Sequence, residues 1–531
     1  MQKVWKRLGR YAVASAAVFA SIAGAGADTT IRFVPHADLQ ILDPIVSTAN
    51  IVKLHGYMVY DTLYGLDENF VPQPQMVKQM TQSEGGRVYR FTLRDGLKWH
   101  DGGPVTAEDC VASLKRWAAR DAAGQLMTRV LKEMRVVDEK TFEIEFTQPY
   151  GLVLESLSKV ATNIPFMMPK RLAETDPFKE VPEVIGSGPF RFVKKDWVPG
   201  SKVVYEKFAD YVPRNEPASA FAGGKVVNVD RVEWVIIRDP QTALSALMSG
   251  EIDFWEAPSL DVLPVLKSAG NIATPVINKT GTQAQIYFNH TIPPFDNQKA
   301  RQAMFWLINQ ETYLQAINGN PEFYRTCPSF FTCGTPMETD VASEPLKRPN
   351  PEKAKALFKE AGWDFSKPIV VLDPTDENIA HPATVVTVQA MRDIGLTVDA
   401  QAMDWATMLK RRNSKEPTNA GGWNMLHSYT GGVTVSTPVW SVAFSGACEK
   451  GLFGWPCDKD LEDLRLKWAL VEGTEAKKKV ASEYQARAFE MGHHVPLGQW
   501  TSYVAYRANV AGVLSAPDSA VLFWNMKKTG K

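Results

Sequence analysis

Apolar and polar positions alternate with a period of two in several short stretches of this chain, and that rhythm predicts strands. Thr30–Pro35 (TIRFVP), Val88–Leu93 (VYRFTL) and Thr141–Phe146 (TFEIEF) read this way, as do Val203–Glu206, Val232–Ile237, Gln285–Asn289, Ile369–Leu372 and Leu396–Gln401. Other stretches carry the helical spacing. From about Asn50 to Leu63 the apolar residues are Ile51, Leu54, Met58, Val59 and Leu63. Asp296 is expected to cap a helix whose inner face is Ala300, Ala303, Met304, Leu307 and Ile308. Pro351–Ala361 is an amphipathic helix closed by Gly362, and Pro382–Arg392 and Leu461–Leu470 are further helices. Between them, Arg94-Asp95-Gly96 is a tight turn of the Asp-Gly type. Thr106-Ala107-Glu108-Asp109 has a capping threonine followed by acids in the first turn, where the helix dipole favours them. Strands and helices that alternate in this way predict an α/β fold.

The N-terminus changes the compartment. Lys3, Lys6, Arg7 and Arg10 precede a small apolar run, Tyr11–Ala25 (YAVASAAVFASIAGA). That run is about 15 residues, short of the roughly 18–20 that span a bilayer. Ala25 and Ala27 suit the −3 and −1 positions of a signal peptidase, so residues 1–27 are expected to be removed and Asp28 to become the first residue. No cysteine lies near that point to take a lipid and no Arg-Arg pair marks the twin-arginine route, so a free periplasmic protein is expected.

The rest, about 500 residues, is too long for one core and should divide into two or more domains. Apolar residues make up 45% and aromatics 10%, enough for globular packing. Lys+Arg 59 balance Asp+Glu 59, so the basic surplus of a nucleic-acid binder is absent. Cys327 and Cys333 enclose five residues and Cys448 and Cys457 eight, while Cys110 stands alone. In an oxidising compartment the simplest reading is two local disulfides and one buried thiol. The competing reading, a four-thiolate zinc site, wants pairs two to four residues apart.

Four segments in order resemble the peptide-binding class of ABC-transporter receptors, the family-5 extracellular solute-binding proteins that include dipeptide-, oligopeptide- and nickel-binding members. They are Val88–Asp109 (VYRFTLRDGLKWHDGGPVTAED), Ile185–Phe190 (IGSGPF, with Ser187 where the family has Thr), Pro293–Asn309 (PPFDNQKARQAMFWLIN) and Pro351–Gly362. The resemblance implies a two-lobed periplasmic binding protein of type II, with an extra subdomain in lobe I. Its expected divisions are lobe I at 28–280, with the subdomain at about 76–185, lobe II at 281–505, and a return to lobe I at 506–531. It implies a monomer that closes around a peptide or peptide-like solute and delivers it to inner-membrane permease subunits with cytoplasmic ATPases. No cofactor and no nucleic acid are implied. Asp95-Gly96 and Gly102-Gly103 are expected to make turns, and Trp99 and His100 to pack at a strand end.

Two segments match the family's ligand-contacting regions. Ser47-Thr48-Ala49 resembles a lobe I turn that touches ligand, although the same turn also suits a helix N-cap. Gly421–Trp440 (GGWNMLHSYTGGVTVSTPVW) precedes Cys448 as the family's amine-binding loop precedes a disulfide. Dipeptide receptors carry Asp-Pro-Asp there; this chain has Thr437-Pro438-Val439 and no Asp or Glu from Pro417 to Ala447. A buried ammonium without an opposing charge costs several kcal/mol. Either an acid reaches in from elsewhere, Asp404 being nearest, or the ligand lacks a free α-amine. The expected lining is aromatic and neutral: Trp405, Trp423, Asn424, Tyr429 and Trp440, with Ser47 and Thr48 opposite. Such a lining also suits an opine, an oligosaccharide or another neutral polar ligand. His427 is expected to be a hydrogen-bonded loop histidine.

Enzyme signatures are missing. The chain has no His-Glu-x-x-His, no Gly-x-Ser-x-Gly and no Walker loop. In Gly186-Ser187-Gly188-Pro189 the proline spoils the helix a nucleophile turn would start. Eight histidines without clustering, His493-His494 included, argue against a nickel or haem receptor. The export reading has a direct check: N-terminal sequencing of periplasmic extract should read from Asp28, and a membrane-bound product starting at Met1 would refute it.

Overall fold

A computed structural model describes residues 29–161 and 163–529; the expected export segment 1–27 and Asp28 lie outside the described residues. The largest sheet has seven strands, in the order Phe190–Phe192, Lys202–Lys207, Arg231–Val235, Thr30–Val34, Phe254–Trp255, Ala505–Arg507 and Ile272–Ala273. Thr30–Val34 lies at its centre, parallel to both neighbours, with Ile31 and Phe33 fully buried. A second sheet has six strands, in the order Tyr324–Arg325, His494–Trp500, Thr282–Phe288, Met425–Gly431, Ile369–Pro374 and Val398–Met403. Ile369–Pro374 is buried along its whole length. Helices Ala380–Asp393 and Trp405–Arg411 pack against it, which suits its nearly unbroken apolar sequence. A smaller antiparallel sheet, Val77–Ser83, Val88–Leu93, Thr141–Phe146 and Leu131–Val136, carries helix Ala107–Ala118. The molecule is thus an α/β protein of two lobes, one on each large sheet, with the four-stranded unit attached to the first.

Local chemistry explains the recurrent segments. Thr106 and Asp109 cap helix Ala107–Ala118 reciprocally, each side chain accepting from the other's backbone N–H. The Trp99 indole donates to Asp109 at 3.3 Å. His100 Nε2 meets the Gly188 carbonyl at 3.0 Å, and burial pushes its pKa down to about 4. Gly188 N–H in turn donates to the Val59 carbonyl at 2.9 Å, and a Cβ on Gly186 would sit 2.0 Å from that oxygen. This glycine pair abuts the end of helix Asn50–Val59. The helix therefore stops short of the expected Leu63: Tyr60 turns extended and Asp61–Thr62 pairs with Phe166–Met167. A second boundary also differs. Asn297, not Asp296, caps helix Gln298–Leu307, because the Asn297 side chain reaches Lys299 N–H at 2.9 Å.

The chain crosses between the large sheets twice, at 274–281 and 501–504. The crossings touch. Val504 N–H donates to Pro275 O at 3.0 Å, and the Gln499 side-chain amide donates to Thr280 O at 2.6 Å. Gly281 has φ +62°, and a Cβ there would lie 2.1 Å from the Trp500 carbonyl oxygen. Cys327 is bonded to Cys333 and Cys448 to Cys457, while Cys110 is free and buried, its thiol pushed up by burial. Two substitutions separate backbone strain from contact. Gly362 also has a positive φ but open space around it, so Gly362→Ala should cost about 1–2 kcal/mol. Gly281→Ala should cost about 1–3 kcal/mol more, because the methyl group must push the crossings apart. Urea unfolding of both variants measures the difference, and equal losses would contradict the packing described.

Candidate functional site

Between the lobes lies a cavity of about 510 Å3, within the range of small-molecule sites. One wall comes from the first lobe and its subdomain: Thr48, Arg120 to Ala122, Gln125, Lys159 and Asn163. The second lobe supplies Tyr287, Arg412, Ser428 to Thr430, Thr434, Trp440 to Ala443, Leu452 and Phe453. The strand Met425–Gly431 starts deep in its sheet and becomes half-buried from Ser428, where it meets the cavity. A smaller cavity of about 200 Å3 shares Trp440 and is lined by residues including Leu66, Phe70, Met337 and Trp468. There Lys477 of the second lobe is ion-paired with Glu155 of the first.

The expected ligand residues separate into wall and backing. Thr48, Tyr429 and Trp440 line the cavity. Trp405 does not, but its ring stacks on Tyr429 at 6.0 Å and 20°. Trp423, expected on the wall, is 0% exposed. Its indole donates to Arg412 O at 3.1 Å and its ring packs near Phe453 and Trp455. Asn424, also expected to face ligand, ties a strand to a loop instead: its side chain accepts from Val370 N–H at 2.8 Å and donates to Pro293 O at 2.8 Å. Both sit where the chain enters the sheet beside Ile369–Pro374, so strand pairing draws them inward. Ser47 is off the wall, its hydroxyl accepting from Ala49 N–H at 3.2 Å. Helix Asn50–Val59 begins without a side-chain cap, so neither Ser47 nor Thr48 fills that role. Asp404 caps helix Trp405–Arg411 by accepting from Thr407 N–H at 2.9 Å, and it does not line the cavity. His427 lies in the strand rather than in a loop. It is held between the Thr384 and Thr387 hydroxyls at 2.9 and 2.7 Å, with its pKa pushed down to about 3 by burial.

The charged residues of the wall were not singled out by sequence. Asp121 is buried, is bonded to Lys159, and accepts from Ala123 and Gly124 N–H at 2.8 and 3.1 Å as the cap of helix Ala122–Thr128. Arg412 lies 4.4 Å over the Phe453 ring, and burial lowers its pKa. Burial and the nearby Glu377 carboxylate push Tyr429 up to about 12. No local pattern marks Arg120, Lys159 or Arg412: the first two meet through the fold of the first lobe, and only the approach of the lobes sets Arg412 on the same cavity. The division into wall and backing has a stability test. Trp423→Ala should lower the unfolding free energy by about 3–5 kcal/mol, and Tyr429→Ala, half-buried at the cavity, by clearly less in the same urea titration.

Comparison with known proteins agrees with this geometry. The profile of the "Bacterial extracellular solute-binding proteins, family 5 Middle" matches residues 71–450. A probable peptide ABC transporter periplasmic-binding protein of Sinorhizobium fredii is 37% identical over 505 residues, 94% of each chain. Among solved structures, the binding protein AgaA of A. tumefaciens R10, in complex with agropinic acid, aligns with TM-score 0.76 at 20% identity, over 94% of this chain and 99% of its own. A dipeptide-binding protein from a Pseudoalteromonas species, in complex with Met-Leu, aligns with TM-score 0.75 at 18% identity, over 94% and 100%. With the profile matching well over half the chain and a relative above 30% identity along nearly all of it, the chain belongs to the bacterial extracellular solute-binding proteins of family 5, which are transport receptors and not enzymes.

Proposed function

We propose that this receptor captures a peptide or peptide-like solute in the 510 Å3 cavity and delivers it to the inner-membrane subunits of an ABC importer. One observation carries the reading: the cavity is walled by residues of both lobes, so a ligand there touches both and favours their approach. The peptide-related name of the Sinorhizobium relative supports the choice of solute. In this reading lobe I is residues 28–280 plus 506–531, lobe II is 281–505, and the protein works as a monomer in the periplasm after losing residues 1–27. Thr48, Tyr429 and Trp440 contact the ligand, while Trp405 holds the Tyr429 ring from behind.

A second reading, a receptor for an opine or another ligand without a free amine, is favoured by the acid-free stretch 417–447. The agropinic acid found in AgaA fits the same architecture. Native mass spectrometry of protein purified without refolding would identify a retained solute. Calorimetry with free di- and oligopeptides, their N-acetylated forms and oligosaccharides then tests both readings. N-acetylation should leave the dissociation constant within a few fold. Trp440→Ala should raise it by roughly one to two decades, the equivalent of about 1–3 kcal/mol of aromatic burial. Loss of tight binding on acetylation would mean that an acid outside 417–447 holds an ammonium.

A further inference from the structure

Among the described residues two ion pairs join the lobes, and their surroundings differ. Lys267 of the first lobe meets Glu322 of the second close to the chain crossings, with 46% and 56% of their side chains exposed. Such a pair contributes little, because water and salt screen it. Lys477 and Glu155 meet instead at the cavity of about 200 Å3, with 9% and 26% of their side chains exposed. The second lobe holds its half of this contact ready: the Lys477 ammonium lies 5.0 Å over the ring of Trp468, itself 2% exposed. Glu155 belongs to the short helix Val153–Leu157 of the first lobe. Just before that helix, Gly151 closes on the end of helix Lys459–Leu470, where a Cβ would lie 3.3 Å from Ala469 O and 3.7 Å from Leu470 O. Leu66 and Phe70 from one lobe and Met337 and Trp440 from the other line the same cavity. An ammonium covered in this way loses hydration as the lobes meet, and the carboxylate compensates for that loss. With either charge removed, the other is left desolvated and unpaired, a state that opening relieves. Neither Lys477 nor Glu155 lines the 510 Å3 cavity, so nothing in their contact requires a solute.

We propose that Lys477 and Glu155 form a catch that closes the receptor without solute, so that the empty protein rests shut and must release the catch before a solute enters. This goes beyond the function above and holds whatever the larger cavity takes up. The catch adds the same closing tendency to the empty and the filled receptor, and a solute's own contacts act on top of it.

Small-angle scattering of the full mature chain, freed of retained solute by unfolding and refolding, tests the catch. E155K and K477E each place like charges at the contact, and each should enlarge the radius of gyration relative to the parent. The double variant E155K/K477E restores opposite charges and should return the radius most of the way to the parent value. E322K sets like charges at the exposed pair near the crossings and should leave the radius unchanged. Backbone amide exchange separates opening from general loss of stability. In E155K and K477E, segments 66–72 and 469–473 should exchange roughly tenfold faster, while the central strand Thr30–Val34 keeps the parent rate. E155Q leaves Lys477 without its carboxylate and should also open the receptor; it replaces any reversed charge that prevents folding. If the solute-free parent is as wide as the single variants, or the double variant stays as wide as they are, the proposal is wrong. It is equally wrong if E322K opens the protein as far as E155K does, since the buried pair would then have no special part in closure.

Discussion

The Trp500 carbonyl oxygen lies 2.1 Å from where a Cβ on residue 281 would be, so any side chain at that position would force the two chain crossings apart. They are joined besides by Val504 to Pro275 and by Gln499 to Thr280. Thr280 also donates from its hydroxyl to Pro517 O, at 2.7 Å, which ties the return segment to the same point. Two short straps held side by side leave the lobes little freedom except rotation about that line. The cavity, its facing walls and the Lys477–Glu155 contact all follow from where the straps set the lobes.

The walls of the cavity are stiff for a related reason. Trp423 and Asn424 are not contact residues but the backing that fixes them. Trp423 donates to the carbonyl of Arg412, so a buried indole positions a residue that lines the cavity. On the facing side, Asp121 caps the helix that begins just after Arg120 and pairs with Lys159. Farther back, Asp43 accepts from Arg116 at 3.1 and 2.8 Å, both side chains 1% exposed, which pins the loop leading to Thr48. Buried ionic groups with complete partners specify geometry rather than add much stability. Here the satisfied ones fix the loop and the helix start that form the first-lobe wall.

Much of the fold was legible along the chain because it depends on nearest-neighbour chemistry. Period-two strands such as Val88–Leu93 and Thr141–Phe146, the Thr106 cap, the Gly362 stop and the two short cysteine loops involve residues close in sequence, and they stand as read. The order of four recurrent segments gave the family, and the gap in acids from 417 to 447 is a plain fact of the sequence. What failed was decided at a distance. Helix Asn50–Val59 ends where Gly186 and Gly188 meet it, and nothing near Val59 announces them. Trp423 and Tyr429 are aromatics six positions apart on one strand and its approach, equally apolar on paper. One faces the sheet core and the other the gap between lobes, because pairing with Ile369–Pro374 buries only the strand's beginning. Arg120 and Arg412 belong to different lobes, and each alone reads as a surface residue. Sequence pattern determined which residues seek burial and how each element starts and stops. Only the tertiary structure decided which buried surface is core and which is cavity, because that depends on two lobes meeting across a hinge built from segments far apart in the chain.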